Sequence, residues 1–390
     1  MKKHQIVLAS TAGFLLLVCV ALGIVCNNPQ ASEAFATSFS RWWVKFWGNV
    51  FGVFPFSAYE LFLICAIVGL IVAVVFLVRL VKGRRWSKLT TLLLALTVGV
   101  LGFVNVYTAT ASVCYNRANL PSQVYTTYTQ QDVTYQEVLQ LANDFVDELN
   151  NAYLQTEHDE TGNVVFPFSF QELCQMLNLE YQRLDGNYFS NYQPNAKRIA
   201  NKTIMSHLHI VGVFFAPFGE VNVSGNENSM YLPFTLAHEM AHSKGVMRES
   251  DANKVATYVL LTSQNVYLRY SALVHCMNEV LHLVKLFPNS QADYSALCNK
   301  VEKGVFVELE NYRKFYEKYS LLDDVGEFFN DLYLKLQKQE GTGSYNDDLK
   351  TEDTGNVDND GNNIVVVINF SDTQNSIIML HKRALLKTSW

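Results

Sequence analysis

The 390-residue chain is expected to be mainly α-helical: an N-terminal region of three transmembrane helices, then a mostly helical α+β domain with one small β element. Three observations carry that expectation. Residues 6–26, 61–78 and 89–107 are apolar runs without a charged side chain, each long enough to cross a hydrocarbon core of about 30 Å as a helix. A buried helix of a soluble domain would keep a polar stripe, and these runs have none. After residue 112, apolar residues recur at helical spacing, most regularly over 135–153 (Val138, Leu141, Ala142, Phe145, Val146, Leu149). Finally, β-branched and aromatic residues crowd 210–224 around a Pro217-Phe218-Gly219 break, the pattern of a hairpin or two short strands.

Taken in order, the chain divides into a membrane region (1–111), a domain (112–340) and a C-terminal stretch (341–390). The first run follows Lys2 and Lys3. A cleaved signal peptide begins that way too, but this run is long for one, and a retained anchor is the preferred reading. Basic residues set the orientation. Arg79, Lys82, Arg84, Arg85 and Lys88 cluster between the second and third spans, while Arg41 and Lys45 alone occupy the first connection. The positive-inside rule puts the N-terminus and the 82–88 turn in the cytoplasm and everything after 112 on the other side. Residues 35–56, with Arg41-Trp42-Trp43-Val44-Lys45-Phe46-Trp47, suit a helix lying among lipid headgroups.

Within the domain, 119–132 reads as a polar linker and 159–163 as a turn. Residues 169–177 and 195–208 are helix candidates, and 253–287 and 303–339 are long helical patterns. The segment 340–363, rich in Gly, Asp, Asn and Thr, reads as a flexible loop. Its Asp358-Asn359-Asp360-Gly361 lacks the spacing of a calcium loop. Residues 364–370 are a strand candidate and 382–390 a basic tail. Cys114, Cys174, Cys276 and Cys298 allow either free thiols or two disulfides in three pairings. The net charge of −6 and the lack of a basic stripe argue against a nucleic-acid partner.

The chemistry concentrates at His238-Glu239-Met240-Ala241-His242. Histidines four apart on a helix project from one face and can bind one metal ion. Glu239, beside the first, is placed to act as general base on a water at that metal. Gly245 lets the helix stop and turn back. A catalytic zinc needs a third protein ligand and one open position. Glu249 is the candidate and Asp251 the rival. Asn253, four residues beyond Glu249 on the same face, is placed to support a ligand by hydrogen bonding. His207 and His209 read as structural. Tyr231, Tyr258, Tyr267 and His275 are candidate donors to an oxyanion.

This HExxH helix followed by Glu-x-x-Ala-Asn resembles the gluzincin-type zinc metallopeptidases. More closely, it resembles an uncharacterised bacterial family of membrane proteins with His-Glu-x-Ala-His, a glycine turn and Glu-x-x-Ala-Asn. That family often has a Pro-Phe-x-Gly-Glu run upstream, which Pro217-Phe218-Gly219-Glu220 matches with one residue fewer. The resemblance covers the apolar segments and most of the domain. It departs in spacing: His242 to Glu249 is shorter than in most gluzincins. It is nearly the metzincin spacing, yet Arg248 stands where that pattern has its third ligand. The resemblance implies a zincin-like domain that binds Zn²⁺ through His238, His242 and Glu249 and hydrolyses peptide or protein substrates with Glu239 as base. It also implies an edge strand at 221–224 along the cleft.

Two other readings stand beside this one. One is a non-catalytic or degenerate metallopeptidase-like domain that senses or binds a ligand outside the cytoplasm. The other is a structural membrane protein with a chance motif. An intact Glu239 speaks for catalysis, because a site without chemistry has no need of its base.

Overall fold

A computed structural model describes residues 2–319, 322–337 and 370–386. The three apolar runs are helices: α1 (Lys3–Cys26), α4 (Ala58–Lys82) and α5 (Trp86–Thr110). All three are long and apolar enough to cross a membrane, the last span continuing to Asn116. The chain is a membrane protein associated with a lipid bilayer. α1 and α5 run side by side in the same direction. Near one end Gln5 Nε2 donates to the Ser87 carbonyl (2.8 Å). Midway, Asn105 Nδ2 donates to the Leu15 carbonyl (3.0 Å). Inside an apolar stack such polar contacts fix rotation and register.

Between the first two spans lie α2 (Pro29–Phe35), a π-helical turn (Ala36–Ser40) and α3 (Arg41–Gly52). α3 is amphipathic, as 35–56 predicted. Val44 and Gly48 are buried, while Trp42 and Phe46 are exposed by 55% and 47%.

The domain is built around α11 (Val266–Lys285), which packs on α6 (Tyr135–Gln155), α9 (Leu232–Ser243), α10 (Glu249–Leu261) and α12 (Gln291–Lys300). Its Leu268, Tyr270, Leu273, Cys276 and Val280 are fully buried. α6 begins where Thr134 and Glu137 form a capping box, and α7 (Phe170–Tyr181) where Ser169 and Glu172 do the same. α8 (Lys202–His207), α13 (Lys303–Tyr316), α14 (Asp323–Leu336) and α15 (Asp372–Lys382) complete the helices.

The β structure is small. β1 (Glu157–His158) and β2 (Val164–Val165) flank the 159–163 turn. β3 (Lys197–Ile199), β4 (Gly212–Phe215) and β5 (Glu220–Ser224) form one sheet in the order β3-β5-β4. β4 and β5 are the hairpin expected over 210–224 and pair antiparallel; β3 joins β5 in parallel.

Two expectations change. The 195–208 helix is β3 followed by the short α8, because Lys197 and Ile199 are buried beside β5. The strand at 221–224 is not the edge: β5 is central, and β4 takes the edge position. Of the two readings left open for the cysteines, free thiols hold: all seven are free. In the C-terminal stretch, where no helix was expected, α15 starts at a Ser371–Gln374 capping box and packs on α10 and α11. The loop at 340–363, the Asp358–Gly361 run and the strand candidate up to residue 369 lie outside the described residues.

The domain sits directly on the membrane helices. The buried Glu220 carboxylate accepts hydrogen bonds from the backbone N–H groups of Ala58 (3.1 Å) and Tyr59 (2.8 Å), at the first turn of α4. An acidic group suits a helix N-terminus. Lys197 Nζ completes the pair with Glu220 at 2.5 Å. In return, Glu60 of α4 accepts from the N–H groups of Ala200 (2.9 Å) and Asn201 (2.7 Å). Arg117 bridges Glu33 of α2 (2.7 Å) to the Gly245 carbonyl (3.0 Å) in the domain.

Candidate metal centre

α9 carries the motif and is buried along its whole length. It ends in a Schellman turn: the Gly245 N–H bonds the His242 carbonyl (3.0 Å) and the Val246 N–H bonds the Ala241 carbonyl (3.2 Å). Gly245 has φ +93°, and a β-carbon there would lie 2.8 Å from Arg117 Nη1. Backbone handedness and close packing therefore both demand glycine. The turn returns the chain so that Glu249, the first residue of α10, faces back onto α9.

Three ligand atoms converge. His238 Nε2 lies 3.0 Å from Glu249 Oε2, His242 Nε2 lies 3.5 Å from the same oxygen, and the two Nε2 atoms are 3.2 Å apart. Ligands held about 2.0–2.1 Å from a tetrahedral zinc stand roughly 3.3 Å from one another, so the donor set fits the ion. The opposite ring nitrogens are already engaged. His238 Nδ1 meets Asn253 Oδ1 at 2.8 Å, and His242 Nδ1 meets the Val246 carbonyl at 2.7 Å. With both Nδ1 atoms donating, both Nε2 lone pairs point at one place, which is repulsive unless a cation is shared there. Burial would raise the Glu249 carboxyl, but positive charge on His242 and His238 pulls it down to about 2, and a cation at the same point would act in the same direction.

Glu239 is buried beside this cluster and lies against β4, with a hydrogen bond from the Phe214 N–H. Burial pushes its carboxyl up to about 8. Glu249 adds to the rise, and His238 and the Phe214 N–H oppose it. Gly212 makes the contact possible: a β-carbon there would stand 2.6 Å from both Glu239 Cγ and Oε1. The Ser224 N–H bonds the Val211 carbonyl, so alternation along the β4–β5 register turns the backbone groups of Gly212 and Phe214 toward the outer edge.

The other sequence candidates separate cleanly. Asp251 is engaged by Arg248 Nε (2.6 Å) and Lys254 Nζ (3.1 Å), outside the ligand cluster. His207 packs on the Tyr319 ring and His209 Nε2 contacts the Tyr319 carbonyl, so neither joins the metal set. Among the oxyanion candidates, Tyr267 accepts from the Glu157 N–H through its hydroxyl and Tyr231 packs on Tyr312. His275 stacks on Phe234 of α9 with ring centroids 3.5 Å apart. Its pKa is held down to about 3 by burial and by His238, which keeps the ring neutral.

Sequence reasoning missed Gly212, the Phe214 N–H, the Val246 carbonyl and the Tyr181 hydroxyl, which donates to the Ala237 carbonyl at 2.6 Å. Only the Gly in a β-rich run carried a signal, that of a close backbone approach. A cavity of about 690 Å³ opens beyond the N-terminal end of α9, lined by Phe168, Arg198, Glu227, Met230 and Tyr316. None of the metal-cluster residues lines it.

A family described as "Protein of unknown function (DUF3810)" matches residues 35–350, and the chain belongs to that family. No curated protein and no solved structure matches the chain.

Proposed function

We propose that this protein is a membrane-anchored, zinc-dependent metallopeptidase, with its metal domain on the extracytoplasmic side. The observation that carries the reading is the convergence of His238, His242 and Glu249 on one point, with the Glu239 carboxyl beside them and a β-strand edge alongside. Zn²⁺ held by the three ligands supplies Lewis acidity and brings the pKa of a water toward neutrality.

The chain's own residues do the rest. Positive charge at the three ligands would favour the ionised form of Glu239, whose carboxylate takes the proton of the attacking water and hands it to the leaving amine. Its hydrogen bond from the Phe214 N–H holds the carboxylate facing the reaction. Asn253 and the Val246 carbonyl fix the two imidazoles in the tautomer that leaves Nε2 free for metal. The outward-facing backbone of Gly212 on β4 offers an extended peptide one more strand to pair with. The positive-inside argument supports the orientation, because the basic 82–88 turn lies at the end of α4 far from the domain.

The test compares the purified full chain with its Glu239→Gln variant on an unfolded protein substrate. Expected is a fall in hydrolysis of roughly 10²–10⁴-fold, with zinc retained. Activity surviving the change would refute the base assignment. A wild-type chain that holds zinc but cleaves nothing would favour the sensing or binding reading instead.

A further inference from the structure

We propose that the substrates are membrane-anchored polypeptides, cut on the domain's side of the bilayer within a few residues of where they leave it. This rests on the peptidase reading and adds the substrate class. The argument is the position of β4. At one end of this short strand, Gly212 and Phe214 touch the site: Gly212 lies against Glu239, and the Phe214 ring is 6.4 Å from the His242 ring. The next residue, Phe215, points into the membrane helices. Its ring centroid lies 4.9 Å from Tyr59 and 5.4 Å from Phe62 of α4, and 6.4 Å from Phe103 of α5.

The level of these contacts in the bilayer follows from helix geometry. α4 has 25 residues and is about 37 Å long, a little more than a hydrocarbon core of about 30 Å. Phe62, about one turn in from Ala58, therefore stands at the hydrocarbon boundary. From there to the site is one step along the chain: the Phe215 ring stands 5.4 Å from Phe62, and the ring of its neighbour Phe214 stands 6.4 Å from His242. A chain that leaves the bilayer beside Phe215 therefore meets the site within the length of β4.

α3 supports the same placement. It lies on the segment between the outer ends of α1 and α4, preceded by α2 and the π-helical turn and followed by α4 after residues 53–57. Phe39, Trp42, Phe46, Val50 and Val53 follow at steps of three or four and are all exposed. Its other face is fixed to the hairpin below the site: Trp43 Nε1 donates to the Pro217 carbonyl (3.0 Å), and Phe51 stacks on Phe218 at 4.2 Å. Such an apolar stripe, continuous with two spans, is covered by lipid. The hairpin that borders the site thus rests on a helix embedded in the headgroup layer.

The experiment reconstitutes the full chain in liposomes with a reporter: one transmembrane helix followed, on the domain's side, by a long unstructured linker of uniform repeated sequence. The same linker without the helix is supplied in solution, and cut positions are mapped by mass spectrometry. Expected are cuts clustered within a few residues of the helix end, with the free linker cut poorly. Cuts spread evenly along the linker, or a free linker cut equally well, would overturn the inference while leaving the peptidase reading intact. No cleavage of either beyond that of Glu239→Gln would overturn both.

Discussion

At the scale of single residues, the site depends on small spacings held by unshared backbone positions. Gly212 is the sharpest case. Its missing β-carbon makes room for the Glu239 carboxyl, which a Gly212→Ala methyl would meet at 2.6 Å. We expect Gly212→Ala to lower hydrolysis at least about tenfold, in keeping with the loss of a positioned base. Zinc content should be unchanged, because none of the three ligands moves. Equal activity in the variant would show that Glu239 does not work from its place against β4. The cluster of His238, His242 and Glu249 was legible from sequence. An i, i+4 pair on one helix is a local relation, and Glu249 and Asn253 follow across a turn that Gly245 announces. Gly212 and Phe214 were not legible, because sheet pairing rather than chain proximity brings them to the motif.

At the scale of elements, the joint between β5 and α4 binds the domain to the membrane. Glu220 answers two N–H groups of α4, the Ser57 hydroxyl (3.3 Å) and the buried Lys197 ammonium at once. Removing one member of a buried pair strands the other without water, at a cost of roughly 3–5 kcal/mol. Glu220→Ala should therefore lower the unfolding free energy of the detergent-solubilised chain by about that amount. Unfolding unchanged within about 0.5 kcal/mol would mean that the pair is solvated. Helices with local signals were foreseen: α6 shows a clean apolar period and a capping box, and the hairpin shows its Pro-Gly break. β3 was not, since Lys197-Arg198-Ile199 carries no strong strand pattern and gains its conformation from pairing with β5. α15 was missed because it follows a polar stretch and owes its burial to α10 and α11.

At the scale of the whole molecule, membrane and domain form one contact-linked unit. Arg117 ties the Gly245 turn behind the motif to Glu33 of α2, and β4 ends among the aromatics of α4 and α5. The three spans were plain in the sequence, because a run of apolar residues long enough to cross a bilayer needs no tertiary context to be read. How the domain rests on them was not plain, because each contact joins residues far apart in the chain. For this reason the informative protein is the full chain rather than the excised domain. The central claim is a single metal held by His238, His242 and Glu249. It is tested most directly by the zinc content of the purified full-length chain, measured by elemental mass spectrometry beside Glu249→Ala and Glu239→Gln. The account predicts one zinc per chain in the wild type and in Glu239→Gln, and a loss of most of it in Glu249→Ala. A wild-type chain without stoichiometric zinc, or a Glu249→Ala chain that binds it as fully, would contradict the account.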